Sequence, residues 1–394
     1  MTAIGKRSYV LDGARELFDQ YDRFKLTQIT SRRFTQDDLL RWLAPLELRA
    51  GFTSRPVGTS AEGRTIPLLT LGTGATKVLL WSQMHGDEPT ATMALVDLLN
   101  FFAEAPDHPI GKTVRTELTL LMIPMLNPDG AERFQRRTAQ LIDLNRDALQ
   151  LATPEARILK SVQASFQPDF AFNLHDQDPR YTVGSTRNVA AIALLAPAVD
   201  FERSDTPVRL RAKQLAATFA EVMRLFIPDH LARYNDQFEP RAFGDNIQKW
   251  GTSTVLVESG GWPQDRDKMF LRKLNCVGLL ASLHAIATGE YRQSDIAAYE
   301  TLPFNGNNLY DIILRGARVK ASPAAPAVTV DIGINIEERL DASGRVQLVG
   351  KIVDVGDLST FGAFDEQDAS GLELDGTQVQ LEKVYPLQPG NRIF

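Results

Sequence analysis

Val78-Leu79-Leu80-Trp81-Ser82-Gln83-Met84-His85-Gly86-Asp87-Glu88-Pro89-Thr90-Ala91 passes from unbroken apolar residues through a polar turn into a helical pattern that reaches Phe102. An unbroken apolar run predicts a strand covered on both faces, because a half-exposed strand alternates. Pro89 suits the first turn of a helix, where its missing N–H is not needed. The stretch therefore reads as strand, loop and helix, with His85 and Glu88 in the loop. Ligands of α/β sheets gather at that place, beyond the carboxyl ends of strands.

The same texture recurs on either side. Leu118 to Leu126, Phe170 to Leu174, Ala190 to Leu195 and Thr254 to Val257 are further apolar runs, and Glu155 to Phe166, Val208 to Phe226 and Gln264 to Thr288 carry helical periodicity. This alternation predicts an α/β fold with a mixed, mostly parallel central sheet and helices on both faces. Asn127, His175 and Glu258 fall at or just past the end of a run, as His85 does. Upstream, Gly58 to Arg64 has turn chemistry before the strand candidate Ile66 to Leu71, which predicts a hairpin-like entry. Between Tyr9 and Leu48, apolar residues are spaced among charges, and Thr35-Gln36-Asp37-Asp38 reads as a helix start with acid in its first turn. Residues 1–50 are thus expected to form a helical segment packed on a main domain of residues 51–297. Beyond it, Leu309 to Val319, Val328 to Ile336, Arg345 to Val355 and Val379 to Val384 favour strands. Turn-rich stretches such as Lys320 to Pro326 and Asp341-Ala342-Ser343-Gly344 join them, so residues 298–394 read as a smaller β-rich domain.

Composition narrows the function classes. A chain of 394 residues with 43% apolar content is long enough for one large core and a small one. Its net charge of -6 and interspersed signs offer no basic face, which argues against nucleic acid as a partner. The single Cys276 excludes an internal disulfide, and its apolar neighbours Val277, Leu279 and Leu280 make it a core residue rather than a nucleophile. Met1 to Arg15 contains no apolar signal-like region. No stretch reaches the roughly 18 apolar residues that cross a bilayer, so the expectation is a cytoplasmic protein without a membrane partner.

The chemistry begins with three donors. A His-x-x-Glu pair is common by chance in a chain with five histidines, and alone reads as a loop histidine and a helix-capping acid. A histidine closing a buried run, as in Phe172-Asn173-Leu174-His175, is by itself more often a hydrogen-bonded rim residue. Together, His85, Glu88 and His175 supply two imidazoles and one carboxylate at strand ends. That set leaves a tetrahedral zinc ion one open position, the mark of a catalytic site.

Asn127-Pro128-Asp129-Gly130, Asp143-Leu144-Asn145-Arg146 and Glu258 within Val255-Leu256-Val257-Glu258-Ser259-Gly260 complete an order of motifs that resembles the zinc metallocarboxypeptidases, the M14 peptidases. The lead-in Val57 to Ile66 resembles the segment that opens the catalytic domain in that family, and the likeness spans roughly residues 50 to 290. It implies a carboxypeptidase-like fold of the non-digestive, bacterial type, here with an added C-terminal domain. It further implies that His85, Glu88 and His175 bind one Zn2+, and that Glu258 takes a proton from the water zinc activates and passes it to the leaving amine. By the same resemblance Asn145 and Arg146 grip the substrate's terminal carboxylate, a task that suits a guanidinium fork. Arg136 polarises the scissile carbonyl, with Arg133 and Arg137 close by as competitors for the role. Asp143 holds the first zinc histidine. Tyr234 is the only tyrosine available to close over the substrate, and its register departs from the family's. Asp87 stands where digestive members carry an arginine, and Arg241, Asp245 and Lys249 bring conflicting charges to the side-chain pocket.

The expected activity is zinc-dependent hydrolysis of a peptide or peptide-like amide beside a free C-terminal carboxylate. The alternative is a deacylase of small N-acyl amino acids, since aspartoacylases and succinylglutamate desuccinylases resemble this chain in His-Gly-Asp-Glu, Asp-Leu-Asn-Arg and an added β-rich domain. Asn127 to Gly130 and the lead-in favour the peptidase. A binding module that had lost catalysis would lack a ligand or the base, and all are present. Either enzyme has a peptide or N-acyl amino acid with a free carboxylate as its partner.

Overall fold

The apolar runs become strands of one eight-stranded sheet. In chain order these are β1 (Thr53–Thr59), β2 (Thr65–Leu71), β3 (Thr76–Ser82), β4 (Leu118–Ile123), β5 (Phe170–Asp176), β6 (Ile192–Leu195), β7 (Leu231–Arg233) and β8 (Ser253–Ser259). The computed structural model describes residues 3–340, 346–388 and 390. Across the sheet the order is β1-β2-β4-β3-β5-β8-β6-β7. The four central strands β4, β3, β5 and β8 are mutually parallel. On one side β2 and β1 run antiparallel; on the other, β6 opposes β8 and β7 follows β6. The fold is therefore α/β with a mixed, mostly parallel sheet.

Helices cover both faces: α1 (Ala3–Phe24), α2 (Gln36–Ala50), α3 (Thr90–Glu104), α4 (Pro109–Glu117), α5 (Pro128–Arg133), α6 (Pro154–Phe166), α7 (Pro207–Arg224), α8 (Phe243–Lys249) and α9 (Met269–Thr288). Side chains alternate along β3, so Val78 and Leu80 enter the core shared with α3, α7 and α9. Leu79 and Trp81 enter the opposite core, with Ile158 and Leu159 of α6 and Ile247 of α8. Both sides of each central strand are thereby dry, which is why those strands read as continuous apolar runs. The start of α2 is a capping box, in which Thr35 and Asp38 bond each other's backbone N–H.

The last long helix starts later than its periodicity predicts, at Met269 rather than Gln264. Asp265 Oδ2 accepts from the N–H of Phe270 and Leu271, which holds the preceding turn outside the helix. By length and mean hydropathy α9 is the one helix among the described residues able to cross a membrane. It is instead a core helix, 83% buried in its most apolar window, and Cys276 lies buried within it.

The described residues divide into two compact units, Met1–Pro179 with Ala190–Asn305 and Arg180–Val189 with Gly306–Phe394. The N-terminal helices belong to the first unit, knotted into it by a buried ion pair. Arg272 of α9 donates through Nε and Nη2 to Asp97 of α3, at 2.6 Å each. The same guanidinium reaches the carbonyls of Ile29 and Leu26, while Asp97 accepts from the Tyr21 hydroxyl and the Leu26 N–H.

The second unit contains β9 (Leu309–Lys320), β10 (Val328–Leu340), β11 (Val346–Gly356), β12 (Gly362–Asp368), β13 (Glu373–Asp375) and β14 (Val384–Pro386). Their order is β12-β9-β10-β11-β14, with β13 also beside β9. Ile312, Leu314, Ile332, Ile334, Ile352 and Leu374 form its core. The strand expected from Val379 begins only at Val384, because Asp375 Oδ1 accepts from the N–H groups of Thr377 and Gln378 and turns the chain there. The turn expected at Asp341 to Gly344 lies outside the described residues.

Candidate active site

Two loops at the carboxyl ends of β3 and β4 interlock. A Cβ on Gly86 would lie 2.0 Å from the carbonyl carbon of Gly130, so only glycine lets the His85 loop meet the Asn127-Pro128-Asp129-Gly130 turn. Asn127 caps α5 by accepting from Gly130 N at 2.9 Å, and its amide donates to Met84 O. Asp129, fully buried, accepts from Ser60 Oγ at 2.7 Å, Glu62 N at 3.0 Å and Arg64 Nη1 at 2.7 Å. The lead-in hairpin is thus tied to the turn that supports the site.

His85, Glu88 and His175 come together, all buried, with their ligand atoms within 4.8 Å of one another. The Nδ1 atoms of His85 and His175 each lie 2.7 Å from a different oxygen of Glu88. At that separation a ring nitrogen and a carboxylate oxygen need a proton or a cation between them. His85 turns Nε2 to Asp143 Oδ1 at 3.1 Å, which fixes the ring and aims the Nδ1 lone pair inward. Two inward Nδ1 atoms, one carboxylate and an orienting second acid suit zinc. Among protein groups alone, burial pulls the His85 imidazole down, but the Glu88 carboxylate and Asp143 outweigh it and lift it to about 9. Burial holds His175 below its usual range against Glu88. Burial also disfavours the Glu88 carboxylate, yet the two imidazoles keep it well below the usual carboxylate range.

Glu258 completes the cluster through sheet register. It is paired with His175 across β5 and β8, and side chains at paired positions share a face. Only 7% exposed, its Oε2 has no hydrogen-bond partner. Burial, then the nearby Glu88 charge, pushes its carboxyl well above the usual range.

Three arginines compete in the sequence for one place, and the tertiary structure separates them. Arg133 bonds Glu62 and Asp129 O, and Arg137 bonds Leu141 O. Arg136 faces the triad, 3.0 Å from both Glu88 Oε1 and His85 Nδ1, and its Nε donates to Asp143 Oδ2 at 3.2 Å.

Asn145 and Arg146 lie on a short 3-10 turn, Leu144–Arg146, whose Asn145 N–H donates to the capping Asp143 Oδ1. Asn145 Oδ1 accepts from Phe243 N at 2.9 Å, joining this turn to the start of α8. Arg146 meets Glu239 at 3.4 Å, a partner that no local pattern announces. Arg241 grips the same carboxylate at 2.8 and 2.9 Å and holds it down to about 2. Asp245 accepts from Glu239 N at 3.1 Å, and burial lifts its carboxyl to about 7. Asp87 also sits high, at about 6, through burial and the neighbouring Glu88. Tyr234 follows the edge strand β7, its N–H bonded to Leu194 O, with β6 and β8 between it and β5.

Parts of this chain are similar to known proteins. Residues 41–167 match the zinc carboxypeptidase family. A probable carboxypeptidase 2 of Trichophyton verrucosum (strain HKI 0517) is 30% identical over 170 residues, 40% of this chain and 32% of that protein. Carboxypeptidase 2 of Trichophyton rubrum is 32% identical over 145 residues, 34% of this chain and 25% of that protein. The chain thus aligns with only a quarter to a third of the length of these relatives. Among solved structures, a metallo-carboxypeptidase from Burkholderia cenocepacia has a TM-score of 0.53 at 19% identity, covering 65% of this chain and 70% of that one. Bovine thrombin-activatable fibrinolysis inhibitor has a TM-score of 0.51 at 13% identity, covering 66% of this chain and 98% of that one. The likeness to these structures is one of fold, and it takes in more of the chain than the family match, which ends at residue 167, before His175 and Glu258.

Proposed function

We propose that this chain, which matches the zinc carboxypeptidase family over residues 41–167, belongs to that family and hydrolyses a peptide or peptide-like amide bond beside a free C-terminal carboxylate. The observation that carries the reading is the register pairing of Glu258 with His175, which sets a buried carboxyl beside three converging metal donors.

In this reading His85, Glu88 and His175 hold one zinc ion, and Asp143 keeps the His85 ring turned for it. Bound there, zinc supplies Lewis acidity that lowers the pKa of water and polarises a carbonyl. Glu258, a buried carboxyl paired in register with His175, takes the proton from attacking water and hands it to the leaving amine. Arg136, aimed at the same place, stabilises the negative charge that develops on the carbonyl oxygen. Asn145 and Arg146 receive the terminal carboxylate, which displaces Glu239 from Arg146. Tyr234, at the head of the loop that carries Glu239, is the tyrosine assigned to approach the bound substrate.

The decisive experiment measures zinc content and then hydrolysis of hippuryl-type peptides with varied C-terminal residues, beside N-acetyl and N-succinyl amino acids. Peptide cleavage supports the reading, and cleavage of the acyl amino acids alone replaces it with the deacylase. A chelator is expected to abolish turnover and added zinc to restore it; turnover unaffected by chelation removes the metal from the mechanism. Arg146→Ala is expected to weaken free-acid substrates by about 2 kcal/mol, roughly 30-fold in kcat/KM, the worth of a charge-assisted hydrogen bond. Amidated analogues should change little, and equal losses for both would remove Arg146 from carboxylate recognition.

A further inference from the structure

Lys268 lies outside every motif described above, yet it reaches the strand ends that carry the site. Its residue is 7% exposed and sits in the left-handed region at φ 59, a conformation disfavoured for a side chain with a Cβ. A buried ammonium and a strained backbone are two costs at one position, and such strain gathers at functional sites.

What it touches gives those costs a purpose. Nζ donates to Gly260 O at 2.7 Å and Ser259 O at 3.2 Å, and lies 3.5 Å from Asp176 Oδ2. Asp176 and Ser259 are register partners across β5 and β8, one step beyond the pair His175 and Glu258. One ammonium therefore bridges both strands at the position next to the histidine and the glutamate. Asp176 is itself fixed, accepting from Thr90 Oγ1 at 2.6 Å and donating its N–H to Glu88 Oε2 at 3.2 Å. The loop that presents the lysine is anchored from the N-terminal segment, since Asp267 accepts from Ser31 Oγ at 3.0 Å and Arg32 N at 3.1 Å.

We propose that Lys268 is a positioning residue for this site, a clamp that holds the ends of β5 and β8 at the spacing that sets His175 against Glu258. The proposal rests on the reading of the site as a zinc amide hydrolase. Lysine suits the task, because one ammonium can meet the Gly260 and Ser259 carbonyls and the Asp176 carboxylate together, whereas an apolar residue of equal length removes both the donors and the positive charge beside Asp176.

Lys268→Met and Lys268→Arg, prepared as zinc-loaded full-length protein, test it by two measurements: zinc affinity from chelator competition, and kcat and KM on the best peptide. Lys268→Met is expected to lose about 10–100-fold in zinc affinity and a similar factor in kcat, with KM within about threefold, as when a partner that orients metal ligands is removed. Lys268→Arg is expected to recover most of both. A folded Lys268→Met with zinc affinity and kcat within about twofold of wild type, or an arginine variant as impaired as the methionine, overturns the proposal. If Lys268→Met does not fold, Asp176→Asn is read by the same measurements and the same limits. Wild-type protein that binds zinc but cleaves nothing in the panel defeats the functional reading alone, because zinc affinity still decides the role of Lys268.

Discussion

Glu258→Gln is expected to lower kcat by about 10²–10⁴-fold while the protein keeps its full complement of zinc. Glutamine matches glutamate in volume, so the packing around position 258 is kept and the three metal donors remain where Gly86, Asp143 and the sheet register put them. What is lost is the proton acceptor. Burial and the Glu88 charge raise the proton affinity of the native carboxyl, which an amide cannot reproduce. Zinc stoichiometry and steady-state kinetics measured on the same sample decide the matter. Undiminished turnover in the glutamine variant would transfer proton handling away from Glu258.

The second large effect is on stability. Asp97→Ala is expected to cost about 3–5 kcal/mol, since it strands the Arg272 guanidinium in a dry core. Asp97 is fully buried, and its two oxygens collect Arg272, Tyr21 and the Leu26 N–H. Burial, then the Asp97 charge, raises the Tyr21 phenol above its ordinary range, so the hydroxyl stays protonated and remains a donor. The knot joins Tyr21 of α1 and the segment Leu26 to Ile29 to α3 and α9, so its loss weakens the hold of that stretch on the main core. Urea denaturation followed by circular dichroism reads the change. Replacing both partners, Asp97→Leu with Arg272→Met, should cost less than Asp97→Ala alone, because no charge is then left buried. A single variant within about 1 kcal/mol of wild type would mean that water reaches the pair.

Much of the site was legible along the chain because its parts are local. His85 and Glu88 share one loop that follows an apolar run read as a covered strand, and Asp143, Asn145 and Arg146 share one turn. The charged edge strand Gly362–Asp368 escaped detection for the opposite reason, since an edge strand needs no apolar run to form. The seven-residue α8 escaped because two turns are too short for a periodicity to register.

Other parts could not be read from neighbours. Arg133, Arg136 and Arg137 are equivalent candidates in the chain, and they differ only in what the fold brings to each: Glu62 and Asp129 O to the first, Glu88 and Asp143 to the second, Leu141 O to the third. Glu239 occupies Arg146 from 93 positions downstream in a loop of no evident pattern. Hydrophobic period and residue type depend on adjacent residues, so strands, helices, loop chemistry and the kinds of metal ligand were determined by the chain alone. The pairing of His175 with Glu258, the choice of Arg136, the clamp at Lys268 and the knot at Asp97 were decided only on folding. Each depends on which distant backbones the sheet register and the two cores bring within about 3 Å, and a hydrogen bond or ion pair exists only at that range.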